Sequence, residues 1–246
     1  MGKIAENILD VRSRIKAAAE RSGRQAEDVT LVCVTKTRTA EEITEALEAS
    51  EFQLGENRVQ ELMDKYDKIQ DIAEGMDKKR NIVWNLIGQL QRNKVKYVIG
   101  KVALYHSVDS FKLAEEINAR ACAAGEAADV LLQLNTAGEE QKAGVAFSEC
   151  KGLAAEILAH LPYVKVRGLM AVVPMADDPE DVRGYFREAK RTFDELSAEF
   201  GGRAAGFEHL SMGMTHDFEV AIEEGATIVR VGTAIFGKRR TGNELI

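Results

Sequence analysis

The residue best placed for covalent chemistry is Lys36. It follows Val29-Thr30-Leu31-Val32-Cys33-Val34-Thr35, a short and nearly continuous apolar run rich in β-branched residues. Such a run suits a strand buried on both faces, and a lysine at its end projects into whatever the strand end faces. Partial burial disfavours the charged amine, and a neutral amine attacks an aldehyde to form a Schiff base. A lysine that merely ends a strand and reaches water is the plain alternative.

A second signal lies in two C-terminal segments, Ser211-Met212-Gly213-Met214-Thr215 and Gly232-Thr233-Ala234-Ile235-Phe236-Gly237. Glycine permits close backbone approach, and amides at a helix start favour an anion. Two ordinary glycine turns would look the same. Between these segments, Arg230 sits inside Ile228-Val229-Arg230-Val231. An arginine in a buried strand requires a partner, either a carboxylate or an acceptor on a bound molecule.

These residues need a scaffold. Residues 5–22 read as an N-terminal helix, with Ile8, Val11, Ile15 and Ala18 at helical spacing. Strands are expected at Val29–Val34, Phe52–Gly55, Ile82–Gly88, Leu104–Val108, Val130–Asn135, Val164–Val173, His209–Met212 and Ile228–Val231. Helices are expected near 40–50, 56–70, 89–99, 110–124, 148–160, 179–200 and 215–225. Thr39 with Glu42 forms a capping box, and Asp109-Ser110 and Ser148 are further expected caps. Alternating strands and helices give a (β/α)8 TIM-type barrel with an extra N-terminal helix, as one domain over residues 1–246; a doubly wound open sheet is the alternative. In a barrel the site lies where the strands end, and phosphate sites after strands seven and eight are frequent. Lys36, a phosphate cup in the two glycine-bearing segments, and the internal Arg230 facing a pyridine nitrogen together fit pyridoxal 5′-phosphate (PLP).

Composition narrows the field. The chain is 45% hydrophobic and 30% charged with a net charge of −7, ordinary for a protein with a real core. Lys78-Lys79-Arg80 and Lys238-Arg239-Arg240 are the longest basic clusters and read as solvated charge, too little for nucleic-acid binding as a main role. There is no run long enough to span a membrane and no secretory-type N-terminus, which points to the cytoplasm. Cys33, Cys122 and Cys150 are widely spaced and read as reduced thiols.

The sequence resembles the pyridoxal phosphate homeostasis protein family, related in fold to the N-terminal barrel of alanine racemase. The resemblance is carried almost end to end by Val32-Cys33-Val34-Thr35-Lys36, by Leu54-Gly55-Glu56-Asn57-Arg58-Val59-Gln60-Glu61, and by Ile87-Gly88-Gln89-Leu90-Gln91-Arg92-Asn93-Lys94. His106-Ser107-Val108-Asp109-Ser110, Asn135-Thr136-Ala137-Gly138-Glu139-Glu140-Gln141-Lys142 and Arg167-Gly168-Leu169-Met170 continue it. Leu210-Ser211-Met212-Gly213-Met214 with Asp217-Phe218, and Val229-Arg230-Val231-Gly232-Thr233-Ala234-Ile235-Phe236-Gly237, complete it. It implies that Lys36 carries PLP as a Schiff base, that Ser211, Gly232 and Thr233 hold the phosphate, that Asn57 lies near the cofactor and that Arg230 approaches the ring nitrogen. It also implies a cytosolic protein that buffers or delivers PLP, with apo-PLP enzymes as acceptors and no established catalysis. This chain has Asn85, Gln89 and Ala143 where the family usually has His, and Arg92 where it has Ser.

Two other functions stay open on the sequence. One is a low-activity amino-acid racemase using PLP; the other is a phosphosugar-processing barrel without PLP. No second domain follows the last strand in these 246 residues, and a monomer is expected. The segment 138–144 reads as a solvated charged turn, with a rim loop as the alternative.

Overall fold

The computed structural model describes residues 2–76, 81–138, 143–201 and 206–238, and in it eight parallel strands pair in sequence order and close a barrel. The strands are β1 (Thr30–Val34), β2 (Gln53–Glu56), β3 (Val83–Leu86), β4 (Leu104–Val108), β5 (Ala128–Leu134), β6 (Val164–Ala171), β7 (His209–Ser211) and β8 (Ile228–Val231). Pairing of β1 with both β2 and β8 makes this a TIM-type barrel and not an open sheet. Lys78, Lys79, Arg80, Arg239, Arg240 and residues 139–142 of the charged turn lie outside the described residues.

The helices are α1 (Lys3–Arg21), α2 (Ala40–Glu48), α3 (Val59–Glu74), α4 (Phe111–Ala124), α5 (Phe147–His160), α6 (Arg183–Phe200), α7 (Phe218–Glu223) and α8 (Thr233–Phe236). The extra helix α1 precedes the barrel. It buries Ile4, Ile8, Val11 and Ile15 on one stripe and packs against α2, α7 and α8. Arg12 on its outer side holds the carboxylate of Glu51 through two donors at 2.6 and 2.5 Å.

The Thr39–Glu42 capping box forms at α2, with Thr39 Oγ1 accepting from the Glu42 amide at 3.3 Å. Ser110 stands at the α4 cap without a side-chain bond, and α5 begins at Phe147, before Ser148. The expected helix 89–99 is replaced by 3₁₀ turns over Arg92–Tyr97. No side chain caps it, and the Lys94 amide reaches only back to the Gln91 carbonyl. After β8 the sequence pattern left no helix, and the short α8 occupies that place.

Strand alternation separates two environments. On β1, Leu31 and Cys33 join the core between sheet and helices, while Val32 packs inside the barrel with Leu104, Leu131, Met170 and Ile228. The barrel interior also carries a row of polar side chains that touches five strands. Arg230 Nη1 on β8 donates to Ser211 Oγ on β7 at 2.6 Å. Ser211 Oγ lies 3.0 Å from His106 Nδ1 on β4, and His106 Nε2 lies 3.1 Å from Asn85 Oδ1 on β3. The Asn85 amide then donates to Gln53 Oε1 and to the Leu54 carbonyl on β2. With Asn85 Oδ1 as acceptor, His106 carries its proton on Nε2, and its Nδ1 accepts from the serine hydroxyl.

Burial pushes the His106 imidazole well below its ordinary range, and the nearby Arg230 cation and His209 push it the same way. His106 is therefore neutral in the folded protein and charged in the unfolded chain below about pH 6.5. The unfolded chain binds the extra proton, so stability falls as pH drops through that value. The His106 contribution is therefore lost progressively between pH 7 and pH 5. Urea unfolding across that range should show this loss. His106→Leu should flatten the pH slope, although His209, whose imidazole is also lowered mainly by burial, leaves part of it.

Candidate functional site

The C-terminal ends of the strands open into a cavity of about 370 Å³. Five of the six residues singled out by the sequence line it: Lys36, Asn57, Arg230, Gly232 and Thr233. Alternation explains the first of these. Val32 faces the barrel interior, Val34 lines the cavity, and Lys36 is the next residue of that parity. The turn beyond β1 is fixed by Thr35 N donating to Gly55 O at 2.9 Å and Arg38 N donating to Thr35 O at 3.0 Å. Within it Thr37 takes a left-handed backbone with φ +63°.

Asn57 follows β2, and its loop passes tightly over the end of β3. A Cβ on Gly88 would lie 2.3 Å from the Asn57 carbonyl oxygen, so only glycine admits this approach. Asn57 Oδ1 is buried and has no hydrogen-bond partner among the described residues. A buried amide oxygen in a cavity wall is an unfilled acceptor.

Arg230 is buried among protein groups. Its Nη1 bond to Ser211 is matched by an Nη2 bond to the Ala171 carbonyl at 2.9 Å. Burial lowers its guanidinium to about 10, and Asp217 opposes that shift. It therefore remains a cation at neutral pH, and a guanidinium has five N–H groups, more than these two bonds use. Burial in turn raises the Asp217 carboxyl, against a 2.6 Å bond from the Met214 amide and the attraction of Arg230.

Ser211 is placed differently from the other five. It is fully buried, it does not line the cavity, and its hydroxyl is engaged by Arg230 and His106. The hydroxyl that does line the cavity beyond β7 is Thr215, whose Oγ1 accepts from the Ala234 amide of α8 at 3.3 Å. Gly213, at φ +90°, makes this loop possible, since a Cβ there would lie 2.6 Å from Ala221 Cβ. Sequence reasoning stopped at Ser211 although Thr215 belongs to the same motif.

Arg38 was also missed. It is buried, lines the cavity and donates to the carbonyls of Phe236 and Gly237, closing the C-terminal end of α8. Its signal was parity, because it continues Val34 and Lys36. The rim includes the fully exposed Met175 and the exposed His216, which reaches the Asp177 carbonyl at 3.0 Å. Among the described lining residues, Lys36, Arg38 and Arg230 stand against one carboxylate, Asp217, with Arg38 also paired to Glu42 at 3.4 Å behind it, so the lining keeps an excess of cations although the chain is acidic overall.

Of the positions that depart from the family pattern, Asn85 belongs to the interior polar row. Gln89 and Arg92 are exposed, and the Ala143 carbonyl accepts from Gln133 at 3.1 Å. Among the described residues no group of acidic, histidine or cysteine side chains is arranged for a metal ion, and no helix is long and apolar enough to cross a membrane.

The alanine racemase N-terminal domain family matches residues 7–240. The pyridoxal phosphate homeostasis protein of Aquifex aeolicus is 46% identical over 235 residues, covering 96% of this chain and 98% of that protein. The structure of PipY of Synechococcus elongatus with PLP bound superposes with a TM-score of 0.78 at 31% identity, covering 95% of this chain and all of that one. Alanine racemase of Clostridium difficile shares the fold at 16% identity, with a TM-score of 0.68, covering 98% of this chain and 58% of that one. The chain belongs to the pyridoxal phosphate homeostasis protein family, within the larger family of the alanine racemase N-terminal domain.

Proposed function

We propose that this protein binds PLP at the barrel mouth, held as a Schiff base on Lys36, and serves to buffer or deliver it. The observation that carries the reading is the convergence of Lys36, Asn57, Arg230, Gly232 and Thr233 on one cavity. PLP supplies an electrophilic aldehyde that condenses reversibly with an amine, together with an anionic phosphate. The side chains present fit that pair of demands. A primary amine and an unfilled amide acceptor stand on adjacent strand ends, and the cavity's basic excess suits the phosphate.

Each residue then has a physical task. Lys36 provides the amine. Gly232, Thr233 and Thr215 hold the phosphate by backbone and hydroxyl contacts. Arg230 faces the ring nitrogen and keeps that nitrogen unprotonated, because a second cation beside it is disfavoured. Ser211 contributes through Arg230, by fixing one of its donors. An unprotonated ring withdraws electrons weakly, so carbanion chemistry at a bound amino acid receives little help. That favours holding the cofactor over transforming a substrate with it. The cavity opens at its exposed rim, an arrangement suited to exchange with apo-PLP enzymes in the cytoplasm, and the protein is expected to act as a monomer.

Purified protein incubated with PLP should turn yellow, and borohydride should fix the cofactor to Lys36 as read by peptide mass. Lys36→Ala should remove the adduct and retain the fold. A label found on another lysine would sink the assignment. Arg230→Glu should change the absorbance spectrum by permitting ring protonation, and an unchanged spectrum would show that Arg230 does not face the ring. Thr215→Val and Thr233→Val should each weaken PLP retention by about 1–3 kcal/mol through lost hydrogen bonds to an anion. Full affinity in both would move the phosphate site elsewhere.

A further inference from the structure

The motif Leu54-Gly55-Glu56-Asn57-Arg58-Val59-Gln60-Glu61 contributes only Asn57 to the cavity. Its two glutamates point elsewhere, and both meet Lys65 of α3. Lys65 Nζ donates to Glu56 Oε1 at 2.8 Å, to Glu61 Oε1 at 2.7 Å and to the Thr35 carbonyl at 2.8 Å. An ammonium has three N–H donors, so this one is fully used. Its side chain is 13% exposed, and that of Glu56 is not exposed at all.

The partners of this ammonium enclose Lys36 from both sides in sequence. Thr35, before it, is held by its carbonyl on Lys65 and by its hydroxyl, which donates to Glu56 Oε1 at 2.7 Å. Thr37, after it, is held by its amide, which donates to Glu61 Oε1. Thr37 also has the left-handed backbone, φ +63°, that a β-branched residue adopts only when its surroundings impose it. The Glu61 carboxylate is what stands against that amide. Neither glutamate nor Lys65 lines the cavity, so none of them can touch what binds there.

We propose that Lys65, with Glu56 and Glu61, is a positioning group for Lys36: it clamps the backbone on both sides of the reactive lysine and holds the amine over the cavity. This rests on the PLP reading above. Glu56 is a buried carboxylate whose proton affinity burial raises, with Lys65 and Thr35 acting against that rise. Its second oxygen, Oε2, is buried without a partner among the described residues. A buried ion pair with an orphaned oxygen is poorly explained by stability alone, because well-packed apolar groups commonly replace such pairs without loss. Fixing the path of the Thr35–Thr37 turn accounts for its geometry. A loosened turn lets the amine sample positions away from the aldehyde, and intramolecular reactions are steeply sensitive to such misplacement.

The test compares two ligands on the full chain. PLP has the aldehyde; pyridoxine 5′-phosphate has an alcohol in its place, so it binds the cavity without condensing. Lys65→Met and Glu61→Ala should weaken PLP binding by about ten- to a hundredfold while changing pyridoxine 5′-phosphate affinity by less than about threefold. Glu61→Gln keeps the oxygen that accepts from Thr37 and Lys65, and it should recover most of the affinity lost in Glu61→Ala. Glu61 is partly exposed, at 23% of its side chain, so its variants report on the clamp even where Lys65→Met fails to fold. Equal weakening of both ligands would make the cluster a structural support of the cavity, and unchanged PLP binding in both Glu61→Ala and Lys65→Met would remove the clamp; either result overturns the proposal. Borohydride fixation in the parent protein separates the two levels. If the parent forms no adduct on Lys36, the PLP reading fails and the clamp falls with it. If the parent forms the adduct and the variants match it, only the clamp fails.

Discussion

A guanidinium buried inside the barrel is the constraint around which this interior is arranged. Arg230 stays charged although its surroundings lower its proton affinity, and a buried charge is tolerated only when it is hydrogen-bonded and compensated. Ser211 and the Ala171 carbonyl take two of its donors, and Asp217 supplies the opposing charge. Once Ser211 is committed to Arg230, its proton must go to an acceptor, and His106 provides one only in its neutral form. His106 must then find an acceptor for its own proton, which Asn85 is. The polar row across the barrel thus follows step by step from placing one cation on β8. Each member is held in one orientation by the next, so Arg230 approaches the cavity with little rotational freedom.

The register of the strands converts this arrangement into a site. Val32 pairs with Arg230, and Val34 pairs with Gly55. Two residues further along each strand, the pleat repeats: Lys36 follows Val34, Asn57 follows Gly55 and Gly232 follows Arg230. A Cβ on Gly232 would lie 3.2 Å from Val34 Cβ, which sets the α8 start one pleat below Lys36. Lys36 and the start of α8 therefore stand at different heights on neighbouring strands.

Much of this was legible in the sequence because strand alternation has a short period and buried strands are long apolar runs. The eight strands, the N-terminal helix, the Thr39 capping box and the cavity positions of Lys36, Arg230, Gly232 and Thr233 follow from such local signals, whereas Asn57 was named by the family resemblance. Ser211 shows where local reading stops. It is the last residue of β7 and still points into the barrel, whereas Thr215 reaches the cavity only because Gly213 turns the chain. A single pleat decides between the two, and strand ends are the least determined feature of a sequence pattern. The Lys65 contacts were illegible for another reason. They join α3 to the turn after β1, a tertiary meeting that helical periodicity on α3 does not encode. The short α8 was missed because four residues carry no periodicity.

Rigid placement of the reactive lysine bears on what kind of protein this can be. A carrier must hold its cargo reversibly, so formation and breakage of the bond to Lys36 both have to be accessible. A group that orders Lys36 equally before and after condensation changes the balance between those states, because the ordering cost has already been met when the chain folds and is not charged again on binding. The same rigidity gives no help to later chemistry on an amino acid, which requires additional groups that move protons at the substrate carbon. On the proposed reading, preorganisation at Lys36 combined with a ring nitrogen facing a cation would tilt the barrel toward retention. On the same reading, release would depend on a competing amine or on hydrolysis at the open rim, near the fully exposed Met175. The two features lie on opposite sides of β1, the ion-paired turn outside the barrel and Arg230 within it, so either can be altered while the other stays in place.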